Sequence, residues 1–118
     1  MAKKLFSLVA AFALLFTACD TAEVGEIHAE EDTINLEANM QCTFFKYVID
    51  KAVEGAKVTA TSDVVWLHVN SVDEEACQIL YCSEENTSSE VRTGTITIKY
   101  AGDTAKVTIN QDGVAAAE

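Results

Sequence analysis

Arg92-Thr93-Gly94-Thr95-Ile96-Thr97-Ile98-Lys99-Tyr100-Ala101-Gly102-Asp103-Thr104-Ala105-Lys106-Val107-Thr108-Ile109-Asn110-Gln111 is the stretch that decides the fold. Ile96, Ile98 and Tyr100 point one way and Thr95, Thr97 and Lys99 the other, a period of two that only a half-buried strand satisfies. After the turn residues Ala101-Gly102-Asp103 the alternation resumes, with Val107 and Ile109 set against Lys106, Thr108 and Asn110. Two alternating runs around a short glycine-bearing turn are a β-hairpin.

Working outward, the same period recurs toward the N-terminus. Thr33-Ile34-Asn35-Leu36 alternates; Phe45, Tyr47 and Ile49 share one face of a strand whose other face carries Phe44, Lys46 and Val48. Lys57 to Thr61 and Val65 to Val69 follow, separated by the turn residues Ser62 and Asp63, and Gln78 to Tyr81 is a short apolar run. Ile49 to Glu54 reads as a loop or strand end. About seven short strands at regular spacing predict an all-β, immunoglobulin-like β-sandwich over residues 33–113. Residues 19–32 are acidic and without apolar periodicity, so they read as a tether, and residues 114–118 as a disordered tail. Proline is absent, so strand edges must be guarded by charge, with Lys99 and Lys106 the expected guards.

Lys3 and Lys4 precede an almost wholly apolar run, Leu5 to Phe16, in which Ser7 is the polar interruption. As a helix that run is about 18 Å long, short of the roughly 30 Å of a bilayer's hydrocarbon core. A cleaved export signal over residues 1–18 is the better reading. The cleavage region, Leu14-Leu15-Phe16-Thr17-Ala18-Cys19, resembles the lipobox of bacterial lipoproteins, with Phe16 where that motif has leucine. The resemblance implies that Cys19 is acylated and becomes the first mature residue; the alternative is an ordinary signal peptide. The mature chain is then attached by lipid at the cell envelope, and the outer membrane is the expected location.

Processing would leave 100 of the 118 residues, and with Lys3 and Lys4 gone the formal charge moves from −11 to −13. Such an acidic surface argues against nucleic acid as a partner. Cys42, Cys77 and Cys82 remain, an odd number. Cys77 and Cys82 read as members of one strand, about 16 Å apart, too far to bridge. Any disulfide therefore joins Cys42 to one of the two, or all three are small buried hydrophobes.

Several segments carry a family resemblance. Trp66-Leu67, Asn86-Thr87-Ser88, Arg92 to Ile98 and Val107-Thr108-Ile109-Asn110-Gln111-Asp112-Gly113 look like the BACON domain (Bacteroidetes-associated carbohydrate-binding, often N-terminal). Phe45 to Ile49 and Gly55-Ala56-Lys57-Val58 before Ser62-Asp63 resemble it too. The resemblance implies an immunoglobulin-like sandwich in an envelope protein of a Bacteroidetes-type bacterium, and carbohydrate or mucin-type glycoprotein as ligand. The motif residues themselves read as structural: Asn86 suits a turn closed by its own side chain, and Gln111 and Gly113 a strand exit.

Catalytic residues are not expected. His28 falls in the tether and His68 in a strand, neither at a recognisable spacing from a nucleophile, although a spatial pair of His68 with Cys77 or Cys82 is a conceivable exception. No metal or cofactor is expected, since no zinc-type spacing occurs. Glu30-Glu31-Asp32, Asp73-Glu74-Glu75 and Glu84-Glu85 lack the acid spacing of a calcium loop. Trp66 and, second, Phe44 are the candidate glycan-stacking residues, with core packing the competing reading for Trp66. Thr21, Thr33 and Thr104 each follow Asp and precede Ala or Ile, as in the acceptor motif for O-glycosylation of Bacteroidetes-type exported proteins. The expected function is a non-catalytic, lipid-anchored binding module for glycans; the alternative is a spacer, or a subunit that docks an envelope protein partner.

Overall fold

The computed structural model describes residues 23–114. Cys19, Thr21, the export signal expected over residues 1–18 and the tail expected over residues 114–118, apart from Val114, lie outside them. The chain forms β1 (Glu26–Ala29), β2 (Thr33–Leu36), β3 (Gln41–Lys51), β4 (Val58–Ser62), β5 (Leu67–Asp73), β6 (Gln78–Ser83), β7 (Arg92–Tyr100) and β8 (Asp103–Gln111). No helix occurs among the described residues. The strands make two four-stranded sheets, ordered β1-β3-β6-β5 and β2-β8-β7-β4. The expected all-β sandwich is the fold.

The β7–β8 hairpin sits at the centre of the second sheet, paired from Arg92–Gln111 to Tyr100–Asp103. Ala101 and Gly102 both take left-handed backbone angles, φ 49° and 88°, as a two-residue turn of this handedness requires. Ile96, Ile98, Val107 and Ile109 are fully buried, facing Phe45, Tyr47, Ile79 and Tyr81 of the first sheet. The tip of the hairpin is tied to the β3–β4 loop through Tyr100, whose hydroxyl accepts from Val53 N–H at 2.7 Å and donates to Val53 C=O at 3.2 Å.

Four sequence readings need correction. Among the described residues there are eight strands, and the additional one, β1, lies inside the acidic stretch read as a tether. It escapes a periodicity test because Ile27 is its one buried side chain, and the strand is held by pairing to Val48 and Ile49 of β3. β5 begins at Leu67, so Val65 and Trp66 belong to the preceding turn. Cys77 is in the β5–β6 turn, with φ 57°, and not in a strand with Cys82. Lys99 lies on β7, an inner strand of its sheet, and so guards no edge.

β1 and β2 are two halves of one edge strand that changes sheet at Glu30–Asp32. β1 runs along the upper part of β3, from Lys51 to Tyr47, while β2 runs parallel to the lower part of β8, from Thr108 to Gln111. Glu30 N–H still donates to Lys46 C=O in the first sheet at 3.0 Å, and Asp32 C=O already accepts from Thr108 N–H in the second at 2.9 Å.

Candidate functional site

The residues that carry the family resemblance close one end of the sandwich. Trp66 is 8% exposed, its ring packed in the core and the Arg92 guanidinium stacked over it at 4.4 Å, a cation–π contact that leaves no open face for a sugar. Arg92 Nε donates to Gln111 Oε1 at 2.8 Å, and its Nη2 to the carbonyls of Glu84 and Glu85. Gln111, fully buried, donates in turn to the carbonyls of Ala38 and Glu84. Asn86 accepts from Ser88 N–H, closing its own turn, and donates to the carbonyls of Glu90 and Asp112 at 2.8 and 3.0 Å. A side chain at Gly113 would put its Cβ 2.3 Å from the backbone of Ser89. Every buried polar group of this cluster serves a loop carbonyl or a neighbour, so its chemistry is structural.

The outer face of the first sheet is different. Phe44 on β3 is 48% exposed, standing across from Leu80 on β6. Two residues along, on the same face, Cys42 and Cys82 stand opposite each other and form a disulfide, with Cα atoms 4.0 Å apart. The sequence left Cys42 two partners; the structure selects Cys82 and leaves Cys77 free. Asn70, at the bulge in β5, donates from Nδ2 to Cys82 Sγ at 3.0 Å. Phe44, Leu80, Asn70 and the Cys42 side of the bridge line an open hollow of about 220 Å³. An aromatic face beside an amide is the combination that sugar recognition uses, apolar contact for the ring and a polar group for orientation. The opposite face of the same strands is sealed: burial first, with nearby acids adding to it, pushes the hydroxyls of Tyr47 and Tyr81 up to about 12.

The other candidates are dispersed. His68 stands opposite Cys82 and pairs with Glu84 at 2.6 Å. That sulfur is bridged, and Cys77 lies in the turn beyond the Asp73–Gln78 pair, at the other end of the β5–β6 ladder from His68, so the conceivable histidine–thiol pair does not form. His28 pairs with Asp50 at 2.6 Å on the β1–β3 ladder. Thr33 and Thr104 are both exposed, at the start of β2 and beside the hairpin turn. Thr104 borders a second, polar hollow of about 440 Å³ with Lys57, Thr59 and Lys99. Among the described residues no three His, Cys, Asp or Glu side chains gather as metal ligands, and no helix is long and apolar enough to cross a membrane.

Residues 56–112 match the family model BACON, described as "Putative binding domain, N-terminal". The chain carries a BACON domain. The matched stretch takes in β4 to β8 and the whole Trp66–Arg92–Gln111–Asn86 cluster, and it leaves out Cys42 and Phe44 on β3. No curated protein matches the sequence. Among solved structures the chain is similar to a Bacteroides ovatus GH5 xyloglucanase in complex with a XXXG heptasaccharide. The TM-score is 0.57 at 11% identity, over 78% of this chain and 20% of that one. At that identity the likeness is one of fold. The aligned part of this chain spans one-fifth of the length of that larger protein.

Proposed function

We propose that this chain is a non-catalytic, lipid-anchored envelope protein whose BACON domain binds carbohydrate or mucin-type glycoprotein on the outer face of its first sheet. The observation that carries the reading is Phe44, an aromatic ring half open to solvent over the hollow shared with Leu80 and Asn70. Among the described aromatic residues Phe45, Tyr47, Trp66, Tyr81 and Tyr100 are buried, so Phe44 is the one that presents a ring to solvent. In this reading Cys19 bears the lipid at the outer membrane, and Thr21, Thr33 and Thr104 are acceptors for O-linked sugar. The test is a glycan-array screen of the purified full chain beside its Phe44→Ala variant. Glycan binding that the variant loses supports the assignment; the same glycans bound by both proteins, or none bound by either, overturns it.

A spacer role is the second reading, and it has its own observation. Gly25 N–H bonds Ala101 C=O at the hairpin tip, while Val114 N–H bonds Ser88 C=O at the opposite end. The described chain therefore enters and leaves at opposite ends of the sandwich. Wild-type protein that binds no glycan while still holding a partner away from the membrane would favour this reading.

A further inference from the structure

Because β1 leaves the first sheet at Ala29, the lower half of β3 has a partner on one side alone. β6 pairs with Gln41 to Lys46, but β1 reaches no lower than Tyr47, and among the described residues no other strand pairs there. The direction of the free groups follows from three contacts. Along a strand, successive residues turn their N–H and C=O to opposite sides. Lys46 C=O accepts from Glu30, on the β1 side, and Tyr47 N–H donates to Cys77 C=O, on the β6 side. Phe44 and Cys42 are in phase with Lys46, so their N–H and C=O groups face the open edge. The 4.0 Å Cα separation of Cys42 and Cys82 agrees, since that is the narrow pair whose backbone groups point away from each other.

The other edges are each blunted by a recognisable device. β5 carries a bulge between Val69 and Ser71, and β1 one between Glu26 and Ile27. Val58 N–H on β4 is met by Glu74 Oε2 at 3.4 Å. β2 is four residues long. The β3 half-edge has neither bulge nor side-chain cover: its pairing with β6 runs without a register shift, and Ala38 to Phe45 contains no charge, proline or glycine. The first charge on the strand is Lys46, where Glu30 already occupies the edge. It is framed by acids, Glu30, Glu31 and Asp32 where the chain crosses between sheets and Glu37 at the start of the β2–β3 loop. A second copy of this chain would bring the same acids to the same place and be repelled. A basic strand would be attracted at both ends.

We propose that the half-edge Gln41–Phe44 accepts an extended, lysine- or arginine-bearing segment of a partner protein as an added strand. Main-chain hydrogen bonds to Cys42 and Phe44 supply the pairing, and the flanking acids select the partner's charge. The proposal uses the backbone of β3, so it stands apart from the glycan reading, which uses the Phe44 ring.

The probe is an N-acetylated, C-amidated pentapeptide alternating lysine and valine, titrated into the purified full chain and followed by NMR. Amide hydrogen exchange should slow at Cys42 and Phe44 and stay unchanged at Thr43 and Phe45, which already bond β6. Replacing the lysines by glutamate should weaken binding by about tenfold or more. In an added strand only every second amide of the peptide faces the protein. N-methylation in one phase should therefore cost about tenfold or more and in the other phase little. Equal binding of the two N-methylated peptides, equal binding of the glutamate peptide, or no protection at Cys42 and Phe44 at millimolar peptide would each overturn the proposal.

Discussion

The Arg92 end of the sandwich and the Phe44 face of its first sheet differ in almost every physical respect. At the Arg92 end, polar side chains are buried and fully used: Arg92, Gln111 and Asn86 between them bind five loop carbonyls, and Trp66 is capped. At the Phe44 face an aromatic ring is half exposed, and its polar neighbour Asn70 spends its side-chain hydrogen bond on the disulfide sulfur. The side chains of the first region, Trp66, Asn86, Arg92 and Gln111, lie inside the stretch that matches the BACON model, whereas Cys42 and Phe44 precede it. A family resemblance built on the first region reports how the loops are locked. The Phe44 face lies only partly within that stretch: Asn70, Leu80 and Cys82 are matched, and Cys42 and Phe44 are not.

The hardest test of that contrast is Trp66→Ala. It removes a buried indole together with the contact that orders Arg92, and should cost about 3–5 kcal/mol, a large part of a small domain's stability. Urea unfolding followed by circular dichroism measures it. An unchanged midpoint would place Trp66 among the exposed residues and erase the contrast.

An alkaline titration tests the sealed side of the first sheet. Tyr47 and Tyr81 titrate near 12 when folded and near 10 when unfolded. Their hydroxyls are therefore protonated in both states below pH 10, where their full contribution is present. Above that the unfolded chain gives up protons first, so stability falls as pH rises from about 10 through about 12. The loss is on the order of 2 kcal/mol for each residue. Ultraviolet titration of tyrosinate alongside thermal melts would show it. Ordinary tyrosine titration without any loss of stability would mean that the core face is wet.

Asn86→Ala should cost about 1–3 kcal/mol, because it strands the carbonyls of Glu90 and Asp112 and opens the turn at Ser88. Asn86→Asp keeps the acceptor for Ser88 N–H and loses both donors, so it should recover only part of that cost. Equal stability of the two variants would assign the whole effect to the donors.

The legibility of the molecule in its sequence follows the same division. Where side chains alternate over a full strand, as in Ile96 to Ile109, burial imposes a period of two and the element can be read directly. β1 has a single buried side chain, Ile27, and exists because β3 offers it a ladder. Nothing local in Glu26–Ala29 announces that partner. Asn86, Gln111 and Gly113 could be assigned structural roles because turns and strand exits ask for such residues, although the carbonyls they bind come from loops far away in sequence. The choice of Cys82 over Cys77 was open for a related reason: Cys77 has the left-handed backbone of a turn, which an apolar run does not reveal. The competition between Trp66 and Phe44 turned on which face each ring takes. Phe45 and Tyr47 fix that for Phe44 by occupying the inward positions of its strand, while Trp66, in a turn, has no period to consult.

Phe44→Ala is the smallest expected change in stability and the one that bears most on function. About half of the ring is in solvent, and the rest contacts the Leu80 side of the hollow, so its removal should cost about 1 kcal/mol or less. No backbone group depends on it, and the Cys42–Cys82 bridge still ties β3 to β6. If the face is a sugar platform, the same substitution should lower glycan affinity by about tenfold or more, since an aromatic anchor at the centre of a small contact dominates its energy. Phe44→Trp, which restores a flat ring at the same place, should then recover binding, while Phe44→Leu, apolar but not flat, should not. Calorimetric titration of the four proteins with one array-selected glycan reads this directly. Recovery by leucine as complete as by tryptophan would make the hollow a general apolar contact, with no preference for the face of a sugar, and the distinction between the locked end and the open face would survive without the ligand assigned to it.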